Sequence, residues 1–237
     1  MCADHDMLLA VDQERCIAAL RRSVATEYDP QRQEHVELLE RLWAATRPGV
    51  AWPGPKADAW KGLGFQGCAP ETDFRGGGLF SLELLVGFAE AKPELLASIL
   101  RHAERNPGCA ADDPDAPAFY PFAAAGINVT FMITELLDLR TRRASAATVE
   151  SSATPPSSPR HIEAAAFRRP PTTESGKHFL ATFRTHEGAQ AELCRVFVEA
   201  LVHLDRVWVD SGATYMDFPT VLAGVRARIL EQLPAHA

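Results

Sequence analysis

WKGLGFQGCAPETDFRGGGL, residues 60–79, is the stretch from which the rest of the chain is read outward. It holds six glycines and one proline, and among them stand Trp60, Phe65, Phe74 and a single arginine, Arg75. Glycine weakens helix and strand alike because it loses the most backbone entropy on folding. A glycine-rich run is therefore either a flexible linker or a backbone held in an irregular shape. Flexible linkers are glycine- and serine-rich without large aromatics, so the aromatic content here predicts a shaped loop.

The flanking sequence supplies what would hold such a loop. Upstream of it, residues 1–12 are expected to be a tail. Residues 12–28 then carry Ile17, Leu20 and Val24 at helical spacing. Asp29-Pro30 reads as an N-cap followed by proline at the first helical position. The next helix carries Val36, Leu39, Leu42 and Trp43 and stops at Arg47-Pro48-Gly49. Downstream, Leu79, Leu82, Leu85, Val86 and Ala89 trace one helix, and Pro93 opens another with Leu95, Leu96, Ile99 and Leu100. Residues 119–140 are apolar nearly all round, the pattern of a buried central helix. Residues 144–176 include fifteen Ser, Thr or Pro and only three large apolar side chains. That segment is expected to be a disordered loop, with a turn of helix near 161–167, because it cannot bury enough surface to offset its ordering entropy. Leu193, Phe197, Leu201, Leu204 and Trp208 form a further stripe, and Asp217 with Pro219 opens a last helix. No segment alternates with period two, so the fold class is all-α, one multi-helix domain over residues 13–237.

Composition narrows the function. The net charge is −7 and the pI near 5.6 over 237 residues, which argues against a general binder of nucleic acid or anionic membrane. Five cysteines are scattered without a CxxC pair and eight histidines without HExxH, so no zinc site and no disulfide framework is indicated. Asp4, Asp6, Asp12 and Glu14 interrupt the only candidate targeting segment, and no apolar run approaches the roughly 20 residues of a spanning helix. A soluble, cytoplasmic protein is expected, with free thiols in a reducing compartment.

Catalytic constellations are few. GxSxG, a P-loop and GxGxxG after a strand are missing, and Asp112-Asp113 reads as a solvated loop. Arg75 remains. Its guanidinium is permanently charged and presents a planar fork of donors that suits phosphate oxygens. Two readings stay open on residue type alone. Arg75 pairs internally with Asp73 or Glu71 and pins the loop, or it is offered to a partner's phosphate as an arginine finger; residue type alone gives the pin precedence. Trp60, Phe65 and Phe74 read as core anchors of the loop, and Thr72 and Asp73 as caps of a helix start. Gln66 either braces the loop or orients a water. Asn128 and Thr130, polar in an apolar helix, are expected to brace the backbone of residues 65–75.

These residues resemble a known family. WKGLGFQGCAPETDFRGGG is similar to the signature of the ELMO (engulfment and cell motility) domain, W-x-x-x-G-F-Q leading into P-x-T-D-F-R-G-x-G and a leucine-rich helix. Tyr120-Pro121-Phe122 with Gly126-Ile127-Asn128-Val129-Thr130 looks like its second block, and Leu193–Trp208 with Met216-Asp217-Phe218 like its C-terminal helices. Cys68-Ala69 departs from a commonly more polar pair, and the Ser/Pro-rich loop is long for the family. Compact members resemble GTPase-activating proteins for Arf-family and Arf-like small GTPases. The larger members carry armadillo-like and pleckstrin-homology modules, for which this chain has no room, and assist Dock-type Rac exchange factors. The resemblance implies that Arg75 is the finger, reversing the order set by residue type. It also implies motif support from Trp60, Gly64, Phe65, Gln66, Pro70, Thr72, Asp73, Phe74, Gly76, Gly78 and Asn128. The implied partner is an Arf-family or Arf-like GTPase carrying its own Mg²⁺ and nucleotide. No cofactor or metal of this chain's own is expected, and membrane contact would come indirectly through that partner. The alternative is a non-catalytic adaptor that binds a small GTPase or a Dock-type exchange factor in cytoskeletal or phagocytic signalling.

Overall fold

Eight α-helices account for most of the described chain: α1 Cys2–Ala25, α2 Gln33–Thr46, α3 Gly78–Ala91, α4 Pro93–Glu104, α5 Phe122–Leu136, α6 Glu174–Thr182, α7 His186–Ser211 and α8 Phe218–Gln232. The structure is a computed structural model. It describes residues 2–104, 120–140, 167–183 and 185–232, with the backbone alone for 2–11, 103 and 104. Three 3-10 turns, Asp58–Leu63, Pro70–Arg75 and Tyr215–Asp217, join the helices, and there is no strand among the described residues. The fold is all-α, as the helical spacing predicts. None of the described helices is long and apolar enough to cross a membrane.

Two compact units emerge, residues 26–133 with 193–237 and residues 1–25 with 134–192. In the larger unit α2, α3 and α4 pack on one another. Helix α3 is buried on nearly every side, with Leu79, Phe80, Leu82, Leu84, Leu85, Val86 and Phe88 all in the core. The α7 stripe Leu193, Phe197, Leu201, Leu204 and Trp208 is fully buried. Trp208 lies against Tyr120 and Phe218, at ring distances of 5.4 and 6.1 Å. Buried beside this stripe is Asp205. It accepts from the Tyr120 hydroxyl at 2.8 Å and lies 2.9 Å from His102 Nδ1, so the carboxylate is taken out of water with partners on both oxygens.

The smaller unit is held by a clasp of charged groups. Arg21 of α1 is fully enclosed and donates to the main-chain carbonyls of Asp138, Phe167 and Arg169. Burial, together with the like charge of Arg169, draws its guanidinium down to about 10, and Asp138 offsets part of that; it stays charged at neutral pH. Asp138 receives both guanidinium arms of Arg169 and the amide and hydroxyl of Thr172. The clasp therefore ties residues 136–140 to residues 167–173 across the intervening segment of chain. Partial burial pushes the Asp138 carboxyl up, but the Thr172 and Arg169 hydrogen bonds outweigh it and hold the group below its ordinary value.

That direction sets a pH dependence. A carboxylate with a depressed folded pKa contributes stability above its unfolded pKa of about 3.9 and loses it as pH falls through the folded value. Asp138→Asn keeps the shape and removes the charge, and it is expected to cost about 2 kcal/mol at pH 7. In chemical denaturation the gap between wild type and variant should close below about pH 4; a gap that persisted there would count against the clasp.

Several expected boundaries move. Helix α1 begins at Cys2, ten residues before the helix expected from residue 12. Asp29-Pro30 does not start α2: the Asp29 carboxylate accepts from the Gln31 amide and its carbonyl from the Arg32 amide, a turn that delays the helix to Gln33. Helix α5 ends at Leu136 rather than near 140. Asp138 takes φ of 51°, and Leu139 N–H reaches back to the Thr134 carbonyl, which closes the helix. The Ser/Pro-rich loop lies outside the described residues as far as 166, as do most of its expected turn of helix and the acidic pair Asp112 and Asp113. Its far end is ordered before 176, because Thr173 caps α6 by accepting from Gly176 N–H and donates to the Leu136 carbonyl. Cys16, Cys68 and Cys194 are free thiols.

Candidate functional site

The 60–79 loop is fastened by a relay of aromatic rings within the larger unit. Trp60 is fully buried and receives Trp43, Trp52 and Phe65 at 5.1, 5.5 and 5.6 Å, each close to edge-on. Phe65 meets Phe74 at 5.8 Å, and Phe74 meets Tyr28 at 5.2 Å. Edge-to-face pairs set the positive ring edge against the negative face and contribute beyond their buried area. The two ends of the loop are thus joined through side chains at 60, 65 and 74. Of the polar handles, Trp60 Nε1 donates to the Gly54 carbonyl at 3.0 Å, Trp43 Nε1 to the Ala51 carbonyl at 3.0 Å and Arg47 to the Gly62 carbonyl at 3.0 Å, whereas the buried Tyr28 hydroxyl has no partner among the described residues.

Backbone contacts complete the fastening. Ala57 N–H donates to the Cys68 carbonyl at 2.8 Å, and Ala124 N–H to the Gly64 carbonyl at 3.2 Å. Gly64 takes φ of 86°, in the left-handed region, and its Cα lies against the main chain of Pro121 and Phe122. Pro70 occupies the first position of the second 3-10 turn, where its missing N–H costs nothing.

Within that frame Asp73 and Arg75 part company. The Asp73 carboxylate accepts the Gln66 main-chain N–H at 2.7 Å, with Thr72 hydroxyl at 3.4 Å on its other oxygen. Arg75, two residues on, is exposed, and its side chain has no ion pair or hydrogen bond among the described residues. Gln66 is also exposed; its amide N–H is clamped, and its carboxamide has no partner among the described residues. The internal pin expected from residue type is not made with either acid: the Asp73 carboxylate closes the loop on Gln66 N–H, and Glu71 forms no ion pair with Arg75.

The three glycines after Arg75 are not equivalent. Gly76 has helical dihedrals, and a Cβ there meets nothing within 4 Å. At Gly77 a Cβ would lie 2.7 Å from Ser81 Cβ and 3.3 Å from Ile127 Cγ2. Gly78 opens α3 with φ of 64°. Gly76→Ala is expected to change stability by no more than about 0.5 kcal/mol and Gly77→Ala to cost about 2 kcal/mol. Urea midpoints of the two variants check this, and equal midpoints would contradict the packing described here.

The brace expected from Asn128 is replaced by another. Asn128 does not reach the loop. It is exposed, and its amide donates to the Ala124 carbonyl one turn back at 2.8 Å; the Thr130 hydroxyl likewise donates to the Gly126 carbonyl. A short polar side chain inside a helix satisfies itself on the preceding turn at little entropic cost. The brace from α5 is instead made by its first turn, at Ala124 N–H and the Pro121–Phe122 main chain against Gly64. Thr72 and Asp73 cap no helix: Thr72 donates to the Ala69 carbonyl within its own turn, and α3 starts after Gly77 without a side-chain cap. Residue reading missed Tyr28, Trp52, Arg47 and Gly77 as loop supports. Trp52, next to a proline-broken connector, was the one with a visible signal, an aromatic where a plain connector needs none.

This loop and its surroundings match a family model, ELMO/CED-12 family, over residues 18–222. The chain belongs to the ELMO/CED-12 family. The match runs through both compact units. Among curated relatives, ELMO domain-containing protein B of Dictyostelium discoideum is 34% identical over 137 residues, 56% of this chain and 44% of that protein. ELMO domain-containing protein C of the same organism is 26% identical over 228 residues, 96% of this chain and 31% of that protein. ELMO domain-containing protein 1 of Mus musculus is 31% identical over 139 residues, 55% of this chain and 42% of that protein. The matches span less than half the length of each of these relatives. No solved structure matches the chain. Among the described residues of this ELMO-family chain, no group of three His, Cys, Asp or Glu side chains could hold a metal ion. What the loop presents at its surface is a cation, Arg75, and a carboxamide, Gln66.

Proposed function

We propose that this chain stimulates GTP hydrolysis by an Arf-family or Arf-like small GTPase, with Arg75 as the arginine finger. The observation that carries the reading is the state of Arg75, exposed and without an internal carboxylate while Asp73 is engaged by Gln66 N–H. The backbone that carries this unpaired guanidinium is pinned at Trp60, Phe65 and Phe74 before the partner arrives, so docking has to order one side chain and not the loop. The charge that develops on the γ-phosphoryl oxygens is then neutralised by a planar donor fork. Nucleotide and Mg²⁺ belong to the GTPase, and the chain meets a membrane only through that partner.

Catalysis requires tighter contact with the transition state than with the ground state. The chain is therefore expected to bind the GTPase loaded with GDP and aluminium fluoride at least tenfold more tightly than the GTP-bound form. Equal affinity for both loaded forms would overturn the proposal in favour of an adaptor, which gains nothing from the transferring phosphate.

A further inference from the structure

We propose that Gln66 is a second catalytic residue of the same loop, supplying the carboxamide that orients the attacking water on the partner's γ-phosphate. The inference rests on the GTPase-activating reading and goes beyond it, since Arg75 alone stabilises charge and does nothing for the nucleophile.

Three features of the loop converge on Gln66. Its backbone is fixed from both sides: Phe65 is buried between Trp60 and Phe74, and Gln66 N–H donates to Asp73 Oδ2 at 2.7 Å. Its side chain is exposed and has no partner among the described residues, although glutamine readily bonds to nearby backbone when a loop needs bracing. The tether that fixes Gln66 ends on Asp73, two residues before Arg75 on the same 3-10 turn, so one hydrogen bond couples the two outward side chains. A structural glutamine would spend its carboxamide on the loop; here the main chain does the bracing and the carboxamide is left over.

The chemistry of that group is complementary to that of Arg75. A carboxamide oxygen accepts a hydrogen bond from water while its NH₂ donates to a phosphoryl oxygen, so one planar group lines up nucleophile and electrophile. The water oxygen forms a bond to the γ-phosphorus as the bond from phosphorus to the β,γ-bridging oxygen breaks. GDP leaves with that electron pair, and both protons of the water leave on the inorganic phosphate, one on the new P–O bond and one passed to another phosphoryl oxygen. Small GTPases commonly hold this water with a glutamine of their own. A carboxamide delivered in trans makes that residue dispensable.

The test is single-turnover GTP hydrolysis with the full chain. Gln66→Ala is expected to lower kcat roughly 100-fold with KM within about twofold of wild type. The thermal midpoint should not move, because the variant keeps the main-chain N–H that Asp73 holds. Gln66→Glu, the same size but unable to donate, should lose as much. The decisive arm uses a GTPase whose own water-orienting glutamine is replaced by leucine: the wild-type chain still accelerates it, and Gln66→Ala does not. If kcat of Gln66→Ala stays within threefold of wild type, if the loss falls in KM alone, or if the leucine variant is not accelerated at all, the role of Gln66 is overturned. Should Arg75→Ala still abolish stimulation in those cases, the activating function stands without Gln66. Should the wild-type chain stimulate no GTPase, both fall.

Discussion

Arg75→Ala is expected to lower the stimulated rate of GTP hydrolysis by roughly 10³-fold or more while leaving the thermal midpoint unchanged. The second half of that expectation follows from the loop's construction. The Arg75 side chain contributes no hydrogen bond or ion pair among the described residues, so its removal leaves Trp60, Phe65, Phe74 and the Asp73–Gln66 tether in place. Exposed positions without such contacts usually change stability by less than about 0.5 kcal/mol. The first half follows from charge. In a water-excluded interface, a guanidinium aimed at the equatorial oxygens stabilises charge that exists only in the transition state, so its loss appears in kcat. Arg75→Lys separates shape from charge. Lysine keeps the cation but presents a compact ammonium in place of the planar fork, so most of the stimulation should be lost here too. A lysine variant that retained full activity would mean that Arg75 steers association and does not act on the phosphate. Stimulation curves for the three proteins at saturating concentration distinguish the two.

Gly64→Ala should have the largest effect on stability of any single methyl added to the loop, about 3–5 kcal/mol, lowering the thermal midpoint by about 10 °C. Two independent costs add. The backbone at Gly64 has φ of 86°, a left-handed conformation that a Cβ disfavours by about 1–2 kcal/mol. The new Cβ would also lie 2.5 Å from Phe122 N and from the Pro121 carbonyl carbon, which are main-chain atoms that cannot rotate aside. Relief requires the loop to lift from the first turn of α5, breaking the Ala124 N–H to Gly64 carbonyl bond. Phe65 and Gln66 follow Gly64 directly, so stimulated hydrolysis should fall as well. Gly76→Ala, on the same loop, is the control that leaves stability near wild type. Differential scanning calorimetry of the two variants measures the contrast. A Gly64→Ala protein within about 1 kcal/mol of wild type would show that the loop is not seated on α5 as described.

How much of this was legible in the residues differs from element to element. The α3, α4, α5 and α7 helices announce themselves because their apolar residues repeat at helical spacing, and Leu193, Phe197, Leu201, Leu204 and Trp208 are buried as that spacing requires. The all-α class was therefore readable from periodicity alone. The start of α2 was not. Asp29-Pro30 satisfies the rules for a helix N-terminus, but an aspartate can cap a turn as readily as a helix, and here it accepts from Gln31 N–H. The end of α5 was hidden for a similar reason, since a non-glycine residue with positive φ, Asp138, carries no glycine signal.

The site shows the same division. Aromatic side chains in a glycine-rich stretch point to a core-anchored loop, and Trp60, Phe65 and Phe74 are buried anchors. Hydrogen-bond partners are another matter. Residue types could pair Asp73 with Arg75 or with a backbone N–H seven residues earlier, and only the folded geometry selects Gln66. A polar Asn128 in an apolar helix suggests a long-range brace; once folded it lies on the exposed side, where a bond to its own helix suffices. Gly77 was overlooked beside Gly76 and Gly78 because a close approach of Ser81 and Ile127 leaves no trace in local sequence.

The most direct test of the central claim is the rate of phosphate release from a panel of GTP-loaded Arf-family and Arf-like GTPases, with and without the intact wild-type chain. The account predicts that at least one member is accelerated by roughly 10³-fold or more at saturation. A GTPase that binds the chain while every member of the panel hydrolyses GTP at its unassisted rate would contradict it.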